Sequence, residues 1–322
     1  MKKIALFLFC FFPIYAFALE IPNLNSEAVI VYDMDADTVI FDKNSQNVHS
    51  IASLTKIMTV LTAIENIDDF STNVTITNEM LAGIYWNASV AGLKVGDIVT
   101  YRDLLYAAIL PSGADATQVL AYAVSGSVDT FVYKMNELAK KIGVKNTHYV
   151  NTTGLDQDGA YSTAYDQMLI LDYALQNPLF KEVYTTKEYT LINGLKVEAS
   201  VQKYNQVLNL DTSKIIGSKT GNTDLAGLCM SALFYHEDHE MILITLGAER
   251  IDDLPYNLID TLTIIDTVNQ NYEIPVNDVV TTESVFLEKE EIETFNIPYE
   301  VVFVLVVVLF LGLTLLCRRK KK

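Results

Sequence analysis

Three short groups of residues stand in one order along the chain: Ser53-Leu54-Thr55-Lys56, Ser112-Gly113-Ala114 and Lys219-Thr220-Gly221. A serine hydroxyl is a poor nucleophile until a base takes its proton, and an amine at i+3 on the same helical turn can reach it. Lys56 acts as that base only when uncharged, so the pattern demands a desolvated pocket. A second cation nearby, Lys219, pushes in the same direction. The partial positive charge at a helix start adds to this, favouring the Ser53 alkoxide over the Lys56 ammonium. Ser112 is suited to hydrogen-bond Lys56 and relay a proton to a leaving amine. Lys219 and Thr220 offer a cation and a hydroxyl to a carboxylate, and Gly221 lets a substrate backbone lie against its strand. The backbone N–H groups of Ser53 and Asn222 are the natural oxyanion donors. Each group alone is a weak signal, but the three in order point to acyl transfer through a serine ester.

Those side chains need elements to hold them. Residues 54–64 have helical apolar spacing that begins just after Ser53. Residues 101–109 and 116–123 read as helices interrupted at Pro111-Ser112-Gly113, which puts Ser112 on the loop between them. Further helices are expected over 130–142, capped by Asp129 and ending at Gly143, and from Ser162 or Thr163 through Leu175, with Asp166 in the first turn. Residues 28–32 and 38–41 form a hairpin near the start. Residues 189–191, 215–220, 228–235 and 241–246 are β-rich, the last two parted by a turn at 236–239, and 251–272 returns to helical spacing. The expected fold is α+β: an antiparallel sheet flanked by helices, with a helical subdomain in the middle of the chain.

The 322 residues carry 23 basic and 40 acidic side chains, a formal charge of -17, so nucleic acid is excluded as a partner by repulsion. Every acid lies between two basic, apolar ends. Residues 1–18 hold Lys2 and Lys3, an apolar run over 4–12 and Ala16-Phe17-Ala18, the three parts of a secretory signal peptide. Residues 301–317 are uncharged, and Arg318, Arg319, Lys320, Lys321 and Lys322 follow. A transmembrane helix is expected over 297–317, with the basic tail 318–322 in the cytoplasm. The protein is then a single-pass cell-membrane protein with an extracytoplasmic domain over 24–272 on an acidic stalk over 273–296. Cys10 and Cys317 fall in the apolar ends, which leaves Cys229 alone in the body. No disulfide, metal site or cofactor is expected.

The chain resembles the serine-type D-alanyl-D-alanine carboxypeptidases, low-molecular-weight penicillin-binding proteins with a β-lactamase/transpeptidase-like fold. The likeness runs over 24–272. Beyond the three groups it is carried by Gly92-Leu93-Lys94-Val95-Gly96-Asp97 leading to Asp103-Leu104-Leu105-Tyr106, and by Asn151-Thr152-Thr153-Gly154-Leu155-Asp156 with Tyr161-Ser162-Thr163-Ala164-Tyr165-Asp166. Lys219-Thr220-Gly221-Asn222-Thr223 with Ala226-Gly227-Leu228-Cys229 completes it. It implies a hydrolase that removes the terminal D-Ala from peptidoglycan stem pentapeptides through an acyl-Ser53 intermediate. Lys56 is then the general base, Ser112 the proton relay, and Lys219, Thr220, Gly221 and Asn222 bind substrate. By the same likeness Arg250 reads the substrate carboxylate, β-lactams acylate Ser53 and leave slowly, and the activity serves peptidoglycan synthesis and cell shape. Two departures stand out. Ala114 replaces the family's usual Asn, whose amide binds the substrate's peptide carbonyl and helps place the lysine. The separate β-rich domain of many relatives is expected to be absent or reduced, since 273–296 is too short for it.

Two other readings compete. A β-lactamase needs a base that hydrolyses the acyl-enzyme quickly, and Gly154-Leu155-Asp156 stands where that base is expected. A catalytically weakened penicillin- or peptidoglycan-binding surface protein is suggested by Ala114 and opposed by the joint presence of Ser53, Lys56, Ser112 and Lys219. Elsewhere plainer readings are preferred. His236 and His239, with Glu237, Asp238 and Glu240, form a solvated turn rather than a metal site. His49 and His148 are structural or exposed, Asp156 and Asp166 brace loops and caps, Tyr85 and Trp86 pack, and Cys229 is a small core residue.

Overall fold

A computed structural model describes residues 19, 21, 23–85, 87–208, 210–252 and 254–275, without the side chains of 205–207. Strands β1 (Ala28–Asp33) and β2 (Thr38–Lys43) form the expected first hairpin. A 3-10 turn over Ala52–Leu54 leads into α1 (Thr55–Ile64). Short strands β3 (Asn73–Thr75) and β4 (Ile98–Thr100) pair across an excursion holding α2 (Asn78–Leu81). The helical part continues as α3 (Tyr101–Ile109), α4 (Ala114–Ser125), α5 (Val128–Ile142), α6 (Ala164–Leu175) and α7 (Pro178–Thr185). A small hairpin, β5 (Glu188–Thr190) and β6 (Lys196–Glu198), and α8 (Ser200–Leu208) precede β7 (Ile215–Thr223), β8 (Gly227–His236) and β9 (His239–Ala248). Helix α9 (Tyr256–Asn271) is the last described element.

Local chemistry sets the helix ends. Thr100 and Asp103 form a capping box on α3, each side chain accepting from the other's backbone N–H. Thr163 caps α6 by accepting from Asp166 N. Helix α5 begins earlier than expected: its cap is Ser127, which accepts from Thr130 N, and Asp129 falls inside the first turn. Gly143 ends it in the left-handed conformation, as its place in the sequence predicts.

The five long strands form one antiparallel sheet in the order β2-β1-β9-β8-β7, so the first hairpin closes the sheet built by the last three strands. Strand β8 is buried at consecutive positions from Leu228 to Phe234, which requires both faces to be covered. Helix α9 packs on β8 and β9, and α6 on β9 and β1. All ten residues of α1 are buried, as expected of a helix enclosed on every side, and α3, α4, α5, α6 and α7 surround it. Strand β7 is the sheet edge and packs against the 3-10 turn at the head of α1. The expected α+β architecture, sheet flanked by helices beside a helical subdomain, is the one observed. The signal peptide over 1–18, the stalk beyond residue 275, the transmembrane helix over 297–317 and the basic tail lie outside the described residues. Among the described residues no helix is long and apolar enough to cross a membrane.

Candidate active site

Between Ile51 and Ile64 the only residue that is not buried is Ser53. Its exposure follows from the turn that carries it. Ala52, just before it, has a φ of +46°, a left-handed conformation that costs a side-chain-bearing residue roughly 1–2 kcal/mol. Two glycines from distant segments hold that strained residue. A Cβ on Gly154, itself at φ +76°, would run into the Ala52 carbonyl and come within 2.9 Å of Thr55 Oγ1. A Cβ on Gly221, in β7, would lie 3.0 Å from Ala52 Cβ and 3.1 Å from the Ile51 carbonyl oxygen. The two bare backbones grip the turn and fix the serine at its head.

Lys56, one turn along, is 2% exposed. Its Nζ lies 2.8 Å from Ser53 Oγ and donates to the Thr153 carbonyl at 2.5 Å. Burial brings its ammonium down to about 7, against the opposing pull of the Asp115 carboxylate. A neutral amine that donates to a carbonyl keeps its lone pair for another direction, and here that direction holds the serine hydroxyl. Thr153 is thus a functional residue acting through its backbone. The Asn151–Asp156 stretch flags the segment in sequence, but a carbonyl has no residue-type signature, so nothing pointed to this one. Asn151 shapes the loop: its Oδ1 accepts from Thr153 N at 3.1 Å and from Gly154 N at 2.7 Å.

Lys219, on β7, is 1% exposed, and its Nζ donates to the Thr220 carbonyl at 2.7 Å. Burial first, and repulsion from Lys56 second, hold it well below the ordinary lysine range. The expectation that Lys219 lowers Lys56 is not met: burial lowers Lys56, and the repulsion between the two amines acts on Lys219. Thr220 shares the partly exposed face of β7 with Ser218, and Gly221 makes the close approach to Ala52 described above. Arg250 reaches back from the end of β9 to the same strand. Its Nε donates to Asn222 Oδ1 at 2.9 Å, Nη2 meets the same oxygen, and Nη1 donates to Asp224 at 2.8 Å.

Ser112 is buried on the turn between α3 and α4, helices that both pack on α1, and has a φ of +62°. It does not hydrogen-bond Lys56 as expected: among the described residues the amine's partners are Ser53 and Thr153. Ala114 opens α4, and its N–H donates to the Ser89 carbonyl at 2.8 Å. The next residue, Asp115, is buried and bolts this corner down by accepting from Ala91 N, Gly92 N and Leu93 N at 2.8, 2.8 and 3.0 Å.

The site is a serine–lysine pair at the head of a buried helix, faced by a lysine-bearing edge strand. Residues 16–250 match the peptidase S11 family, described as D-alanyl-D-alanine carboxypeptidase. The chain belongs to this family. It is 34% identical over 264 residues to the D-alanyl-D-alanine carboxypeptidase DacC of Escherichia coli, covering 78% of this chain and 64% of that one. It is 30% identical over 226 residues to the D-alanyl-D-alanine carboxypeptidase DacF of Bacillus subtilis, covering 69% of this chain and 57% of that one. The chain therefore spans less than two thirds of the length of these relatives. Among solved structures, the Streptomyces K15 DD-transpeptidase superposes with a TM-score of 0.68 at 28% identity, covering 77% of this chain and 98% of that one.

The remaining polar residues of this S11 domain resolve into supports. Asp156 accepts from Thr223 Oγ1 at 2.6 Å and from Leu225 N at 3.0 Å, tying the 151–157 loop to the β7–β8 turn. Asp166 accepts from Asn146 N and Thr147 Oγ1. His49 and His148 sit in isolated bridges to Ser162 and Tyr161. Cys229 is a free, buried thiol in the core, its pKa pushed up to about 12 by burial. Two plain expectations are corrected. The turn itself is exposed at Glu237 and Asp238 as expected, but its two histidines are not solvated: His236 is buried against Asn269 and the Tyr272 carbonyl, and His239 Nδ1 pairs with Asp33 at 2.9 Å. Tyr85 is not packed away but 67% exposed at the rim of a cavity; Trp86 lies outside the described residues.

Proposed function

We propose that this chain is a penicillin-sensitive, serine-type D-alanyl-D-alanine carboxypeptidase that trims the terminal D-Ala from peptidoglycan stem pentapeptides. One observation carries the reading: a buried Lys56 amine, brought down to about 7 by burial, within hydrogen-bond reach of the partly exposed Ser53 hydroxyl at the head of its helix. Ser53 Oγ adds to the carbonyl carbon of the penultimate D-Ala while its proton passes to Lys56. The backbone N–H groups of Ser53 and Asn222 hold the oxyanion. The C–N bond then breaks, the leaving amine takes the proton back from Lys56, and the acyl group stays on Ser53 as an ester; a relay through Ser112 would need its hydroxyl to turn toward Lys56 once substrate is bound. Water adds to that ester and gives a proton to Lys56. The C–O bond breaks, the proton returns to Ser53, and the shortened peptide leaves.

Lys219, Thr220 and Arg250 hold the terminal carboxylate against β7, and Gly221 admits the peptide backbone. Neither competing reading is favoured, although Ala114 remains the one departure that suggests weakened catalysis. The Asp156 carboxylate is engaged by Thr223 and Leu225 rather than free to act as a deacylating base, and the Ser53–Lys56 pair is intact. The signal pattern over 1–18 and the apolar run with its basic tail over 297–322 support export and single-pass anchoring in the cell membrane, with the domain outside. The test uses the full chain in detergent with a pentapeptide ending in D-Ala-D-Ala. D-Ala release is expected from the wild type and not from Ser53→Ala, and penicillin should add its mass to the peptide containing Ser53. Undiminished release from Ser53→Ala refutes the mechanism, and no release from the wild type refutes the activity.

A further inference from the structure

The loop over 151–156 touches both halves of the site. Its Thr153 carbonyl holds Lys56, and a bare Gly154 grips Ala52. At its far end Asp156 reaches the strand side: Oδ1 accepts from Thr223 Oγ1 at 2.6 Å and Oδ2 from Leu225 N at 3.0 Å. Between those ends the loop is braced by one side chain. Asn151 Oδ1 accepts from Thr153 N and Gly154 N, and Asn151 Nδ2 donates to the Leu155 carbonyl at 3.1 Å. The residue just before Asp156 is therefore tied to the start of the loop.

What Asp156 holds is the turn that leaves β7. Asn222 and Asp224, on either side of Thr223, are the two residues that engage the Arg250 guanidinium: Nε and Nη2 on Asn222 Oδ1, Nη1 on Asp224. Among the described residues little else fixes this turn. Strand β7 is the sheet edge, and its ladder with β8 ends where Thr223 pairs with Gly227. Leu225 is 71% exposed and the Asp224 side chain 97%, so apolar packing does not seat the tip; only Ala226 at its base is buried. The Ala226 N–H donates to Thr223 Oγ1 at 3.1 Å, so the hydroxyl that Asp156 fixes is also the one that closes the turn.

A guanidinium reads a carboxylate well only when its planar fork is aimed at it. The aim of Arg250 is set by the two residues flanking Thr223, and Thr223 is set by Asp156. We propose that Asp156 is a positioning residue for carboxylate recognition: it ties the loop that supports Ser53 and Lys56 to the turn that supports Arg250, and so fixes the distance between nucleophile and carboxylate reader. The inference deepens the proposed function and rests on its assignment of Arg250 to the terminal carboxylate of the substrate.

The test uses the full chain in detergent, a pentapeptide ending in D-Ala-D-Ala and its C-terminal amide, and reads the ratio of the two kcat/KM values. Asp156→Ala removes the tie from one side, and Thr223→Val, nearly constant in shape, removes it from the other. Each should lower the acid-to-amide ratio about fivefold or more, because a charge-assisted contact is worth about tenfold or more and a misaimed guanidinium forfeits much of it. Asp156→Asn, which keeps one acceptor oxygen, should fall between Asp156→Ala and the wild type. In an Arg250→Ala background, Asp156→Ala should leave the ratio where Arg250→Ala alone puts it. A general loosening of the loop slows both peptides alike and does not move the ratio. A ratio within twofold of the wild type in either Asp156→Ala or Thr223→Val, or a further fall once Arg250 is gone, overturns the proposal. A second arm follows Ser53 acylation by a penicillin and by its methyl ester, read by intact mass. If the wild type hydrolyses no peptide, the carboxypeptidase reading fails and this arm decides: loss of the preference for the free acid in both variants upholds the role of Asp156, and a retained preference overturns it.

Discussion

The pH dependence of Ser53 acylation tests the chemistry most directly. The perturbation is proton concentration alone. With Lys56 brought down to about 7 by burial, about one tenth of the amine is neutral at pH 6 and about nine tenths at pH 8. Only the neutral form can take the serine proton, so the second-order rate of acylation should rise about tenfold between those values and level off above about pH 8. A lysine at its ordinary 10.5 predicts something different: the rate would keep climbing about tenfold per pH unit through pH 9 and beyond. Penicillin acylation followed by intact mass in rapid-quench samples measures the rate without needing deacylation. A log-linear rise continuing past pH 9, or a rate flat from pH 5 to 8, would falsify the assignment of Lys56 as base.

The same burial has a cost in stability. The unfolded chain keeps the Lys56 proton up to about 10.5 while the folded one releases it at about 7, so the unfolded state binds more protons in that window and stability rises with pH across it. The penalty, about 5 kcal/mol as an upper figure at about 1.36 kcal/mol per pKa unit, is felt in full below pH 7. Lys56→Met should therefore abolish acylation yet raise the denaturation midpoint at pH 6, and a lowered midpoint counts against the buried-amine account. Gly154→Ala should cost about 2 kcal/mol or more in chemical denaturation and slow penicillin acylation at least about tenfold, because it forces a Cβ into the Ala52 carbonyl at an unfavourable φ; acylation at the wild-type rate would show that the turn is not held from that side. Arg250→Ala should lower kcat/KM for a D-Ala-D-Ala peptide about tenfold or more while moving stability by about 1 kcal/mol or less, since its ion pair is exposed. An equal loss on the C-terminally amidated peptide would remove the carboxylate-reading role.

Much of this arrangement is legible in the residues themselves. The i, i+3 relation of Ser53 and Lys56, the breaks at Pro111-Ser112-Gly113 and Gly143, the Thr163 cap and the β-rich runs after residue 215 all lead to the observed elements. What escapes notice does so for physical reasons. The helix α7 carries a readable start, Asn177 accepting from Leu179 N and Phe180 N with Pro178 in the first turn, but its eight residues are too few for a clear apolar period. Strands β3 and β4 are three residues each, and their pairing depends on tertiary closure rather than local preference. The site shows the same division. Side-chain chemistry announces Ser53, Lys56 and Lys219, while the carbonyl of Thr153 and the strain at Ala52 belong to the backbone and leave no mark on residue type. The departure at Ala114 can be seen in sequence as a missing amide, but only the fold shows that a cavity stands in its place.

The grip of Gly154 and Gly221 on Ala52 also bears on how such a protein could escape an antibiotic. Shifting the nucleophile out of a drug's reach by enlarging Gly154, where a Cβ would meet the Ala52 carbonyl, or Gly221, where it would press on Ala52, disturbs the serine for the natural peptide as well. Selection is left with the periphery, where the walls around Ala114 and the exposed rim at Tyr85 can vary without disturbing the turn. Variants that discriminate between drug and cell-wall peptide should accumulate there, and the two glycines should stay unchanged under drug pressure.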